Sequence, residues 1–286
     1  MTIASTPHPL VAGDDGRARS LVRVGEQFVG AGMFSFIAGP CAVETPEQLA
    51  AACEAAVAAG ATMLRGDLYK HRTSPYSFQG LGADGIAIVA EQRERFGLPW
   101  VAEVLDVRQL EVAADVIDVV RVGARSMQNF ELLRACAQTG KPVMIKRGLS
   151  ATVEEWLLAA EYVAHAGCLD IILCERGIRT FEPSTRNTLD LSAVVVAQER
   201  SHLPVIVDPS HGTGGRTLVA PMALAAVAAG ADGIMVDVHA DPASARCDGP
   251  QALLPDEVLA LGARLRDLAV WMGRTVDPAI VVEEVA

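Results

Sequence analysis

The sequence predicts a (β/α)8 barrel. Eight short β-rich or apolar runs recur along the chain, separated by longer Ala/Leu/Glu stretches, the grammar of parallel strands joined by crossover helices. Of the 286 residues, 51% are hydrophobic and only 5% aromatic, so Ala, Val, Leu and Ile must carry the core, as suits helices packed on buried strands. One such barrel commonly takes ~250 residues. A doubly wound open sheet is the main rival, but eight units without a glycine fingerprint argue against it.

The strands are expected at "FSFIAGP" (34–40), "ATMLRG" (61–66), "PWVAEVL" (99–105), "DVVRVGA" (118–124), "PVMIKRG" (142–148), "DIILCERG" (170–177), "PVIVDPSHG" (204–212) and "DGIMVDVH" (232–239). Between them, "TPEQLAAACEAAVAAG" (45–60) opens at a Ser/Thr-type cap and stops at glycine. "SATVEEWLLAAEYVAHAG" (150–167) repeats that pattern, with Ser150 or Thr152 as cap. "APMALAAVAAGADG" and "PDEVLALGARLRDLAVWMG" follow suit. Residues 21–33 alternate apolar and polar around glycines, which predicts a small β-hairpin plugging the barrel bottom. Residues 1–20 read as a disordered polar leader, 34–275 as the barrel and 276–286 as a tail.

A net charge of −11 argues against nucleic acid and anionic membranes as partners. No apolar run reaches the ~18 residues of a membrane span, and the first residues lack a signal-peptide pattern. The cysteines (Cys41, Cys53, Cys136, Cys168, Cys174, Cys247) form no CxxC and no disulfide scaffold, so a cytoplasmic, reduced protein is the plain reading.

Against this acidic background, "RGDLYKHRTSPYSFQG" (65–80) gathers Arg65, Lys70, His71 and Arg72, then Thr73 and Ser74. Nearly every strand also ends in polar residues: Cys41, Arg65, Glu103, Arg125, Lys146, Arg176, Asp208 with His211, and Asp237 with His239. In a barrel these ends converge on the face that carries active sites. Each alone could simply mark where a strand leaves the core, but repetition over eight strands with several cations points to a small polyanion, phosphorylated and carboxylated. Thr73 and Ser74 also suit turn capping before Pro75, and Tyr76, Phe78 and Gln79 read as loop packing. His8, His165 and His202 read as leader, helix and loop residues without a role.

"IAGPCAVE", "RGDLYKHRTSPYSFQGLG", "VRVGARSMQNFELL", "GKPVMIKRGLSATVEEWLLAAEY", "ILCERGIRTFEPSTRNTLDLSAV", "LPVIVDPSHGTGGR" and "CDGPQAL" together resemble 3-deoxy-D-arabino-heptulosonate 7-phosphate (DAHP) synthases of the type I beta branch. The likeness runs from about residue 20 to 262. It departs where "RGDLYKHRT" stands for the family's Arg-Gly-Gly-Ala-Phe-Lys-Pro-Arg-Thr, and where Asp237 stands for glutamate. No ferredoxin-like or chorismate mutase domain is evident, so aromatic amino acids would act through a partner such as a separate chorismate mutase.

What the resemblance implies is a condensation of phosphoenolpyruvate with erythrose 4-phosphate, opening the shikimate pathway, by a homodimer or homotetramer. It assigns Arg65, Lys70, Arg125, Lys146 and Arg176 to phosphoenolpyruvate. His71, Arg72, Thr73, Ser74, Arg186 and Asp208 fall to the aldose phosphate, and Cys41, His211, Asp237 and Asp248 to a divalent metal (Mn2+, Fe2+, Co2+ or Zn2+). Lys70, Glu103, Cys41 and His211 then carry catalysis, with His239 close to the metal. Spacing alone is no metal motif, and a lone buried cysteine is more often a small hydrophobe. Asp237 is one methylene short of the family's ligand, so weaker metal binding is the physical expectation. Two rivals stand: the same attack on another aldose phosphate, as in 3-deoxy-octulosonate 8-phosphate synthases, which read Asn near His71; and a weakened paralogue acting as a regulatory partner.

Overall fold

The computed structural model describes residues 7–13 and 17–276. Eight parallel strands close into a barrel: β3 (Ser35–Gly39), β4 (Met63–Arg65), β5 (Trp100–Val104), β6 (Val119–Val122), β7 (Val143–Lys146), β8 (Ile171–Glu175), β9 (Val205–Val207) and β10 (Gly233–Asp237), with β10 pairing back onto β3. Each falls inside a run expected from sequence. The helices α1 (Pro46–Ala58), α2 (Ile86–Phe96), α3 (Val107–Ala113), α4 (Phe130–Ala137), α5 (Val153–His165), α6 (Leu191–Arg200), α7 (Pro209–Thr213), α8 (Arg216–Ala228) and α9 (Pro255–Trp271) follow in order.

Local chemistry sets the boundaries. Thr45 caps α1 by accepting from the Gln48 N–H, with Pro46 at the first turn. Of the two candidate caps for α5, Thr152 does the work, in a capping box with Glu155. At the end of β3, Gly39 has φ of +152°, and a Cβ there would overlap the Arg65 carbonyl oxygen. Only glycine lets β3 and β4 come this close, and that approach brings Cys41 beside the loop after Arg65.

The barrel interior is divided along its axis. Toward the strand starts it is apolar: Ile37, Met63, Val101, Val119, Met144, Ile172, Ile206 and Met235 pack with Val22, Val24 and Val29. Those three valines belong to the hairpin of β1 (Leu21–Val24) and β2 (Gln27–Gly30), which closes this end as the sequence predicts. Toward the strand ends the interior turns ionic, with Arg65, Arg121, Lys146, Asp208 and Asp237 all buried. The opening therefore lies at the C-terminal face.

The leader departs from expectation where it is described. Val11 is fully buried, Ala12 bridges to Ser201, and Glu161 accepts from the Leu10 and Val11 N–H groups. Apolar Val11 and a waiting carboxylate hold a stretch that composition alone marks as polar. His202 is likewise structural: its Nδ1 lies 2.6 Å from the Ser20 hydroxyl and its Nε2 2.9 Å from the Leu10 carbonyl. His8 is buried and His165 exposed. Expected residues 1–6, 14–16 and 277–286 lie outside the described residues.

Candidate active site

At the C-terminal face a cleft of about 240 Å³ opens. The loop after β4 supplies Lys70, His71, Arg72, Thr73, Ser74 and Ser77; the strand ends supply Glu103, Arg125, Lys146 and Arg176; Arg186, His211 and Asp248 complete the wall. Strand alternation explains one choice: Lys146 points inward, whereas its neighbour Arg147 turns away and pairs with Glu175 and Asp190. Gly123 matters by what it lacks, since a Cβ there would occupy the place of the Glu103 carboxylate.

Six cations thus face one cavity: Lys70, Arg72, Arg125, Lys146, Arg176 and Arg186. Arg176 is buried, bonds only the Gly177 carbonyl, and forms no ion pair among the described residues; burial holds its pKa below the ordinary value. Arg125 is exposed and reaches only the His71 carbonyl (3.4 Å) and the Thr73 hydroxyl (3.5 Å). Burial also lowers Lys146, against the pull of Asp208 at 2.5 Å. Arg125 and Arg176, without ion-pair partners among the described residues, and the paired cations beside them make the cavity an anion receptor.

Beneath the cleft lies a carboxylate that sequence reasoning missed. Asp67 is fully buried and accepts from Lys70 Nζ (2.8 Å), from Arg121 (2.5 Å) and from the Glu103 backbone N–H (2.9 Å), with Arg65 at 3.5 Å. Despite the cost of burial, these cations hold its carboxyl well below the usual range. Its place between Arg65 and Lys70 is the available signal. Arg121 and Gln251 carry no such signal.

Two expected substrate contacts sit elsewhere. Arg65 lies below the cleft, fully buried, paired with Asp237 and Asp67. Asp208 is also fully buried, behind Lys146 and 2.8 Å from His211 Nδ1. Both support groups that face the cavity. His239 stands apart, 3.9 Å from Glu44, its Nδ1 accepting from the Asp241 N–H.

Three of the four expected metal-ligand residues converge. Cys41 Sγ, His211 Nε2 and an Asp248 carboxylate oxygen lie within 4.8 Å of one another. Cys41 Sγ is 3.7 Å from His211 Nε2 and 3.1 Å from Asp248 Oδ2, and Lys70 Nζ lies 3.1 Å from the sulfur. A thiol, an imidazole and a carboxylate fit a divalent transition metal. Asp208 and Asp237 raise His211 to about 10 against its burial, while contact with Cys247 and burial push the Cys41 thiol up. A metal would displace both protons on binding. Asp237 is turned to Arg65 and to Gln251 Nε2 (2.5 Å), and is not in this cluster.

A model of the DAHP synthetase I family matches residues 19–272. The chain belongs to that family. A phospho-2-dehydro-3-deoxyheptonate aldolase of Thermotoga maritima is 45% identical over 271 residues, covering 95% of this chain and 80% of that protein. The crystal structure of the Thermotoga maritima DAHP synthase superposes with a TM-score of 0.92 at 44% identity, covering 96% of this chain and 80% of that one. A truncated form of that organism's synthase gives 0.88 at 41% identity over 94% of this chain and 99% of that one. More distant is a 2-dehydro-3-deoxyphosphooctonate aldolase of Syntrophobacter fumaroxidans, 33% identical over 85% of this chain and 89% of that protein. As a member of the DAHP synthetase I family, the chain is an enzyme of the DAHP synthase type.

Proposed function

We propose that this enzyme condenses phosphoenolpyruvate with erythrose 4-phosphate and water, releasing DAHP and inorganic phosphate. The observation that carries the reading is a cleft with six cations beside a Cys–His–Asp cluster, on a chain of this family. Arg125, Lys146 and Arg176 take the phosphate of phosphoenolpyruvate, with Arg65 steadying the floor through Asp67 and Asp237. Arg72, Thr73, Ser74 and Arg186 take the aldose phosphate, and His71, on the same wall of the cleft, bonds a hydroxyl of the aldose.

Cys41, His211 and Asp248 hold the divalent metal, which when bound supplies Lewis-acid polarisation of the aldehyde carbonyl. Lys70 donates a proton to the aldehyde oxygen as C3 of phosphoenolpyruvate attacks the aldehyde carbon and the new C–C bond forms. Positive charge develops at C2. Water adds there, losing its proton to Glu103, whose carboxylate overhangs Gly123 at the cleft wall. The tetrahedral C2 centre then expels inorganic phosphate. The fixed cations compensate phosphate charge throughout.

The same reading carries a cytoplasmic homodimer or homotetramer, which sedimentation velocity would report, and regulation through a separate chorismate mutase. Among the described residues no helix is long and apolar enough to cross a membrane. The deciding experiment supplies phosphoenolpyruvate with erythrose 4-phosphate or with arabinose 5-phosphate and identifies products by mass. The seven-carbon product at higher kcat/KM supports the proposal. Preference for the five-carbon aldose, giving the eight-carbon product, would replace it with the octulosonate reaction.

A further inference from the structure

We propose that Gln251 is a positioning residue for the aldose phosphate: its side-chain amide bridges Asp237 and Arg186 and so aims the Arg186 guanidinium into the cleft. The inference rests on the assignment of Arg186 to that phosphate, made above.

Gln251 ends the short turn Gly249–Gln251 that follows Asp248, and it is 2% exposed. Its Nε2 donates to Asp237 Oδ2 (2.5 Å), and its Oε1 accepts from Arg186 Nη1 (2.9 Å). The amide fits only this way round, because the reverse would set oxygen against carboxylate and NH2 against guanidinium. Methionine here would leave both partners unbonded, and glutamate would lay a second carboxylate on Asp237. The backbone holds Gln251 in place independently of where the Asp237 carboxylate turns. The Leu253 N–H donates to the Asp237 carbonyl (2.8 Å) and the His239 N–H to the Leu253 carbonyl (3.0 Å), so the chain after the turn is zipped along the end of β10.

Arg186 is prepared from its own side as well. Its N–H donates to the Thr213 carbonyl (3.0 Å), and a Cβ on Gly214 would lie 2.5 Å from the Arg186 Cβ, so the loop seats this residue tightly on the end of α7. Its side chain is long and still has to choose a direction. Nη1 donates both to Gln251 and to Asp248 Oδ1 (3.0 Å), while among the described residues Nη2 and Nε have no hydrogen-bond partner. One nitrogen thus carries both anchors, and the free edge of the guanidinium lines the cleft. Gln251 differs from Asp248 in being uncharged: it fixes Nη1 without neutralising the guanidinium, whose charge stays available to a phosphate. Ordering the side chain before the ligand arrives removes a cost that binding would otherwise bear.

The test is steady-state kinetics of wild type, Gln251→Met, Arg186→Met and the double variant, varying each substrate with the other saturating. Gln251→Met should raise KM for erythrose 4-phosphate about tenfold, the worth of one hydrogen bond to a charged group, with kcat and KM for phosphoenolpyruvate within about twofold of wild type. Arg186→Met should raise the same KM at least as far, and the double variant no further than Arg186→Met, since the amide acts through the guanidinium. Gln251→Asn keeps a buried amide that is one methylene short of the span and should show the same rise, so a folding failure of the methionine variant does not decide the matter. Unchanged KM for the aldose phosphate, equal rises in both KM values, or additive effects in the double variant overturn the role of Gln251 and leave the condensation standing. Wild type that does not turn over erythrose 4-phosphate overturns both.

Discussion

Asp67 shows how single residues set this site. One buried carboxylate neutralises part of the charge on Lys70, Arg121 and Arg65, and fixes the Glu103 backbone. Replacing it by Asn leaves buried cations without a counter-charge, which costs ~3–5 kcal/mol at neutral pH. Its folded pKa lies far below the ordinary value, so the unfolded chain binds the proton first as pH falls. The stabilisation is present above about pH 4 and fades below it. Urea unfolding of wild type and Asp67→Asn should give a gap that narrows on acidification; a gap constant down to pH 3 contradicts the assignment. His71, exposed on the cleft wall, carries the second prediction at this scale. His71→Pro should change the kcat/KM preference between tetrose and pentose phosphates by about tenfold or more, the worth of one polar contact. Equal preference in both proteins would remove His71 from substrate choice. The cations were legible because charge at the end of an apolar strand stands out locally. Asp67 with Arg121, and Asp237 with Arg65, were not, because those pairings join residues far apart in sequence and depend on how strands meet around the barrel.

Elements divide the labour between stability and chemistry. The β1–β2 hairpin seals the apolar end, and the loop after β4 with α7 furnishes the reactive end. Val29 is fully buried among the strand-start side chains and touches none of the cleft. Val29→Ala should therefore lower unfolding free energy by ~1–3 kcal/mol while kcat stays at the wild-type value. A comparable loss in kcat would mean the two ends are coupled. All eight barrel strands and the hairpin were readable from short apolar runs bounded by turns, because each run's pattern is local. Residues 8–13 were not, since their order comes from Glu161 and Ser201, more than a hundred positions away. The choice of Thr152 over Ser150 as helix cap turned on the reciprocal bonds with Glu155, a signal three residues downstream.

The whole molecule sets a strongly acidic chain around a cationic cavity, and the barrel makes that contrast possible by drawing strand ends from 200 residues of sequence onto one face. Net negative charge keeps the surface unattractive to other polyanions, while Lys70, Lys146 and Arg176 are buried in the cavity wall and so are less screened by salt than surface charges. The Cys–His–Asp cluster lies at the edge of the same cavity, and the proposed reaction requires it to join anion binding to carbonyl activation through a bound metal. That requirement is tested by phosphate release from phosphoenolpyruvate and erythrose 4-phosphate, using chain first stripped with a chelator and then titrated with a divalent metal. The account predicts no release from the stripped chain and saturable recovery at one metal per chain. Undiminished release in the presence of chelator, or none with any metal, would contradict it.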